Sequence, residues 1–250
     1  MSVNATLWRC PKMQVVILLI GSFVAALISG SAGFGGSLLL LPVVTVCIGA
    51  ENAVPVLTIS QLIGNMARMT SGWKQIDWKS VGLFSLTSLP LAALGACGFS
   101  ALPKDVVTRI VGLALIILVV IKLVSKKDLP KGNSTLLVGG AVTGGLSGLC
   151  GSGGPIGAAV FLSLDLAPVA YIASEAATAT AMHLLKTVIY SKLTSLSLHA
   201  LVLGFGMGVC MIAGTYCAKH FIKNMEKGKF QKYVAVLLCI VGAYMAVFGD

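Results

Sequence analysis

The residues of this chain able to do chemistry fall into two sets that repeat one another. Gly30-Ser31-Ala32-Gly33-Phe34-Gly35-Gly36 recurs as Gly148-Leu149-Cys150-Gly151-Ser152-Gly153-Gly154, with four glycines in register at an offset of 118 residues. Glycine lets the backbone leave helical geometry and lets another group come close to it. An apolar run follows each cluster, starting at Ser37 and at Pro155. Each cluster therefore sets a helix N-terminus, with unpaired N–H groups and a positive dipole end, beside a glycine loop. Such a place suits an anion. Gly33, Gly35, Gly36 and Ser37 in the first half, and Gly151, Ser152, Gly153 and Gly154 in the second, are the candidate binding residues. Proline has no N–H to donate, so Pro155 makes the second cluster unequal to the first and predicts a lopsided site.

A second element lies on the helix that follows each cluster. Gln61, Asn65 and Arg68 are spaced i, i+4 and i+7 and share one helix face. Ala179, His183 and Lys186 repeat that spacing at the same offset. Ionisable residues within a membrane are costly and usually face the protein interior, which makes Asn65, Arg68, His183 and Lys186 candidate substrate contacts. Long basic side chains near helix ends can also snorkel to the interface, a reading equally open for Arg68 and Lys186. Glu175 is the most interior acid and falls within ~20° of Lys186 around the helix axis. It is a candidate proton-coupling carboxylate that alternately pairs with Lys186 and releases a proton, and a static structural pair is an equally open reading. The other acids read as loop, helix-start or terminal residues. The seven cysteines show no paired metal spacing, so neither metal nor other cofactor is expected.

Composition says what must position these groups. With 57% apolar residues, 10% charged residues and a mean hydropathy of +0.96, a soluble domain of 250 residues could not cover its surface with polar groups. The chain reads as an all-α polytopic membrane protein. Val15–Ser29, Ala53–Thr70, Ser80–Ala101, Val106–Leu123, Pro168–Val188, Leu196–Ala218 and Tyr233–Phe248 are the expected long apolar helices. Ser37–Gly49 and Pro155–Leu164, with 13 and 10 residues, are short for a crossing, and each is expected to form a re-entrant helical hairpin with the helix before its glycine break. The net charge of +10 belongs to loops between apolar runs, with no basic helix or aromatic platform for nucleic acid.

The repeat divides the chain into an N-terminal segment 1–13, a first membrane repeat 14–125, a basic cytoplasmic linker 126–133 and a second repeat 134–250. Each repeat holds its hairpin and three transmembrane helices. An odd number of crossings turns the second repeat upside down relative to the first. Assigned by that parity, twelve of the eighteen Lys and Arg residues fall on one side, which makes it cytoplasmic and places both termini outside a cell membrane. Inverted repeats with broken helices are an architecture of secondary transporters, with substrate at the repeat interface. A small anion and the lipid bilayer are the expected partners, with the coupling ion, H+ or Na+, left open.

The duplicated text, Ala25-Ala26-Leu27-Ile28-Ser29-Gly30-Ser31-Ala32-Gly33-Phe34-Gly35-Gly36 and Gly144-Gly145-Leu146-Ser147-Gly148-Leu149-Cys150-Gly151-Ser152-Gly153-Gly154, resembles the TauE/SafE family of sulfite exporters and related permeases. The resemblance runs from about Val15 to Phe248 and implies transport of sulfur-containing anions such as sulfite, sulfonates or sulfoacetate. By residue it extends to the glycine clusters alone. Two other classes compete with it. An anion channel also uses helix dipoles and basic residues. Gly145-Leu146-Ser147-Gly148 reads as the G-x-S-G of a rhomboid-like intramembrane serine protease, with His183 or His199 as base. The recurrence of the serine as Ser29, where His183 is matched by Asn65, argues for a repeated fold element instead, and no enzyme is expected.

Overall fold

The structure is a computed structural model that describes residues 12–34, 36–48, 50–97, 132–150, 153–193 and 198–248. Its helices are α1 (Lys12–Ala32), α2 (Gly36–Ile48), α3 (Ala50–Ser71), α4 (Trp78–Cys97), α5 (Asn133–Cys150), α6 (Gly154–Leu162), α7 (Pro168–Leu193), α8 (Leu198–Ile222) and α9 (Lys227–Phe248), with a 3-10 turn at Trp73–Gln75. No strand occurs among the described residues. Helix is the form that satisfies every backbone group within its own segment, as hydrocarbon requires. Among the described residues α1, α4 and α8 are long and apolar enough to cross a membrane. The stretch expected at Val106–Leu123, and the linker as far as residue 131, lie outside the described residues.

The two largest extensions beyond the expected boundaries are in α7 and α9. α7 runs on to Leu193, and α9 begins at Lys227, six residues before Tyr233. Hydropathy marks where lipid ends, whereas hydrogen bonding marks where a helix ends. Charged residues such as Lys227, Lys229 and Lys232 stop the first and leave the second intact.

Packing follows one pattern in both halves. α1 lies along α8, and α4 lies along α5; α3 packs on α7 and α8, while α7 also packs on α4. Taking each helix to the one about 118 residues away exchanges α1 with α5, α3 with α7 and α4 with α8, and these pairings map onto one another. Glycine allows the two closest seams. A Cβ on Gly144 would sit 2.2 Å from the Ser88 carbonyl oxygen, and one on Gly148 2.4 Å from that of Ala92. In the other seam a Cβ on Gly214 would sit 2.5 Å from the Phe23 carbonyl oxygen. Such small-residue seams are how helices associate without water to drive them together.

The halves differ in how they enclose their short helices. Every residue of α6 from Pro155 to Leu162 is buried, under an aromatic set in which Phe84 meets Phe161 at 5.2 Å and Tyr171 meets Phe230 at 5.4 Å between centroids. On α2, Leu39 and Val46 remain exposed. Exposed apolar side chains on α1 and α8, such as Ile17, Ile20, Val202 and Phe205, form the surface expected against acyl chains.

Candidate functional site

The first break is built on Gly33, the one glycine among the described residues with positive φ, +86°. Its N–H closes α1 by donating to the Ser29 carbonyl at 2.8 Å, a left-handed ending that glycine adopts without steric cost. The Tyr171 ring lies against it: a Cβ on Gly33 would come within 2.6 Å of that ring. The Tyr171 hydroxyl donates to the carbonyls of Ala32 at 3.0 Å and Ala158 at 3.3 Å, tying the first break to α6. The second break needs glycine for proximity instead. Gly153 has φ −129°, open to any residue, but a Cβ there would lie 2.4 Å from the Thr143 carbonyl oxygen. Gly35, Gly151 and Ser152 lie outside the described residues.

Between the breaks is a cavity offering about 30 Å³ to the centres of water-sized molecules, room for one or two waters. Phe34, Gly36 and Ser37 line it from the first break, Gly153 and Gly154 from the second. Gln61, Asn65 and Arg68 reach it from α3, Ser147 from α5, and Glu175, Ala179, Met182 and His183 from α7. Eight of the sequence-predicted residues therefore meet at one place: Gly36, Ser37, Asn65, Arg68, Gly153, Gly154, Glu175 and His183. Gly33 stands behind it against Tyr171. Lys186 reaches it indirectly through Ser147.

The basic pair are interior residues. Arg68 is 4% exposed and Lys186 0%, so neither snorkels. Arg68 Nη1 donates to the Ser29 carbonyl at 3.1 Å, and Lys186 Nζ donates to the Ser147 carbonyl at 3.3 Å. Ser29 and Ser147 are 118 residues apart, as are Arg68 and Lys186, so the two contacts are copies of each other. Their remaining bonds differ. Arg68 Nη2 donates to Asn65 Oδ1, and Nη1 stands 3.2 Å from Glu175 Oε2 in a buried ion pair. Lys186 Nζ donates to Ser147 Oγ at 2.9 Å.

That ion pair corrects the pairing of Glu175 with Lys186 expected from rotation about the helix. Eleven residues of helix separate the two by about 16 Å along the axis at 1.5 Å per residue, farther than their side chains span. Arg68, on the neighbouring α3, is the partner instead. Sequence reasoning also left out residues the cavity uses. Gln61 was visible on the polar face, but Phe34 and Met182 carry no signal apart from core packing. Tyr171 has none either, since the residue at its offset in the first half is Ala53.

A sequence profile described as sulfite exporter TauE/SafE matches residues 18–245, nearly the whole chain. The chain belongs to the TauE/SafE sulfite exporter family. Neither a curated protein nor a solved structure matches it significantly. As a TauE/SafE member it is a membrane-embedded protein of a transporter family, in keeping with its three apolar spans among the described residues. The TauE/SafE match runs through both glycine clusters and both polar helix faces.

Proposed function

We propose that this chain is a secondary transporter that carries small sulfur-containing anions, such as sulfite, sulfonates or sulfoacetate, across a cell membrane by alternating access, with substrate held between the two helix breaks. The observation that carries the reading is convergence: both glycine breaks and both polar helix faces line one buried cavity. Arg68 supplies positive charge there, Lys186 stands behind Ser147, and the start of α2 adds N–H groups and a dipole end. The exchange of packing partners between halves supports two repeats, and their odd number of crossings makes them inverted, with hairpins entering from opposite faces. The lysine and arginine bias puts both termini outside.

The space between the breaks is narrow, and substrate passage would widen it by moving the breaks apart. That is the motion alternating access uses, and it favours a carrier over a channel. Glu175 is placed to couple a proton: neutralising it frees Arg68 for the substrate, and recharging it restores the pair. The protease reading loses support. Ser147 Oγ is bonded to Lys186, and the matching cation in the other half is an arginine, which cannot act as a base. What the two share is anchoring of a helix-end carbonyl.

Purified protein in proteoliposomes tests this with sulfite, thiosulfate, taurine and sulfoacetate under imposed proton or sodium gradients. Saturable flux driven by one gradient is the expected result. Ohmic anion conductance would favour the channel, and absence of flux for every sulfur anion would overturn the reading.

A further inference from the structure

One tyrosine forms a barrier beside the cavity. Tyr171 stands one helical turn before Glu175 on α7, on the same face and about 6 Å nearer the start of that helix. Glu175 lines the cavity, so Tyr171 lies just beyond it. Phe34 lines the cavity at the first break, and the Tyr171 ring is pressed against the residue before it, where a Cβ on Gly33 would come within 2.6 Å. Tyr171 is 1% exposed, and Phe230 of α9 backs its ring at 5.4 Å between centroids.

The hydroxyl spans both hairpins. It donates to the Ala32 carbonyl, at the end of α1, at 3.0 Å and to the Ala158 carbonyl, within α6, at 3.3 Å. The hairpins cannot part at this level while both bonds hold. A second tyrosine ties the same end of α1 to α9, with Ser31 Oγ and Tyr233 Oη 2.8 Å apart. The barrier also has a side. Tyr171 belongs to the first turn of α7, and α3 ends against that start, where a Cβ on Gly72 would sit 2.7 Å from Ala173 Cβ. The ring therefore stands between the cavity and the membrane face at which α3 ends and α7 begins. At the 118-residue offset its counterpart is Ala53, fully buried, whose methyl group can neither bond a carbonyl nor fill the space of a ring. The tyrosine latch is not repeated there.

Resting on the transport reading above, we infer that Tyr171 is the gating residue of the cavity on that face. Its ring blocks the way to the cavity, and its hydroxyl latches the first break to α6 until the hairpins part. It acts on passage and touches no bound anion. On the topology proposed above, the gated face is cytoplasmic.

Thiol labelling of the full chain in sealed membrane vesicles of either orientation tests this. Ala179→Cys places a thiol in the cavity, and a membrane-impermeant maleimide reports how fast it is reached from each face, after subtraction of the rate for the parent chain. With Tyr171 intact, labelling from the face where α7 begins is expected to be slow. Tyr171→Phe, which keeps the ring, should raise it about fivefold, and Tyr171→Ala at least about tenfold. Labelling from the opposite face should stay level or fall, since one population opens at the expense of the other. An equal rise from both faces would mean general loosening of the fold and would overturn the gate, as would no rise in either variant. Tyr171→Phe removes a single oxygen, so it carries the test where Tyr171→Ala does not fold. The labelling needs no substrate. Absence of flux for every sulfur anion removes the transport reading, whereas unchanged labelling beside normal flux removes only the gate.

Discussion

The two polar helices, α3 and α7, use one backbone plan and different chemistry. Each sends a cation back to the carbonyl of the serine 39 residues earlier, Arg68 to Ser29 and Lys186 to Ser147. Around that shared anchor the α3 side has Gln61 and Asn65, and its arginine crosses to the acid of the other half. On the α7 side stand Ala179, His183 and Glu175, and Tyr171 bolts the first break to α6. The shared anchor is the same in the two halves, and the side chains around it differ. On the proposed function, an anion bound between unequal walls has one preferred orientation.

The largest expected effect comes from breaking the ion pair between Arg68 and Glu175. Arg68→Gln strands the Glu175 carboxylate in a buried site and should cost about 3–5 kcal/mol, read as loss of thermal stability in detergent. Lys186→Met removes its contacts to Ser147 and should cost about 1–3 kcal/mol. Adding Glu175→Gln to Arg68→Gln should recover much of the loss. Equal costs for Arg68 and Lys186, with no recovery in the double variant, would mean that the ion pair does not distinguish the halves.

A smaller contrast separates the two helix starts. A Cβ on Gly36 meets the Gln61 amide at 2.9 Å, whereas one on Gly154 meets nothing nearer than Phe34 Cβ at 3.9 Å. Gly36→Ala should displace the amide and weaken anion binding by about fivefold with stability nearly unchanged. Gly154→Ala should be close to silent. Isothermal titration against sulfite distinguishes them, and identical responses would make the two starts equivalent after all. The smallest effect is expected at the bolt. Tyr171→Phe keeps the ring against Gly33 and loses only the hydroxyl, at about 0.5–1.5 kcal/mol. A shift beyond that range in the unfolding midpoint would give the hydroxyl a role larger than these two bonds.

Much of this was legible without coordinates. Helices α1, α3, α4, α7 and α8 fall where apolar runs predict, and the breaks fall at the duplicated glycines. The face of Gln61, Asn65 and Arg68 follows from spacing alone, and eight of the predicted site residues meet at one cavity. What failed was pairing between elements. Helical geometry put Glu175 and Lys186 on one side of α7, yet the carboxylate found its partner on α3. Tyr171 gave no warning because its importance depends on a ring from one half reaching a glycine of the other.

The sequence by itself determined that the chain is a membrane protein, that one residue pattern recurs at an offset of 118, and where its helices break. These are properties of composition, periodicity and register, carried by residues near one another in the chain. Tertiary structure alone decided that Arg68 and Lys186 are buried, that Arg68 holds Glu175, and that Gln61 and His183 are left facing the same space. Each depends on how helices from different halves approach. That approach is set by small-residue seams whose depth, to within a few tenths of an ångström, no hydropathy pattern records.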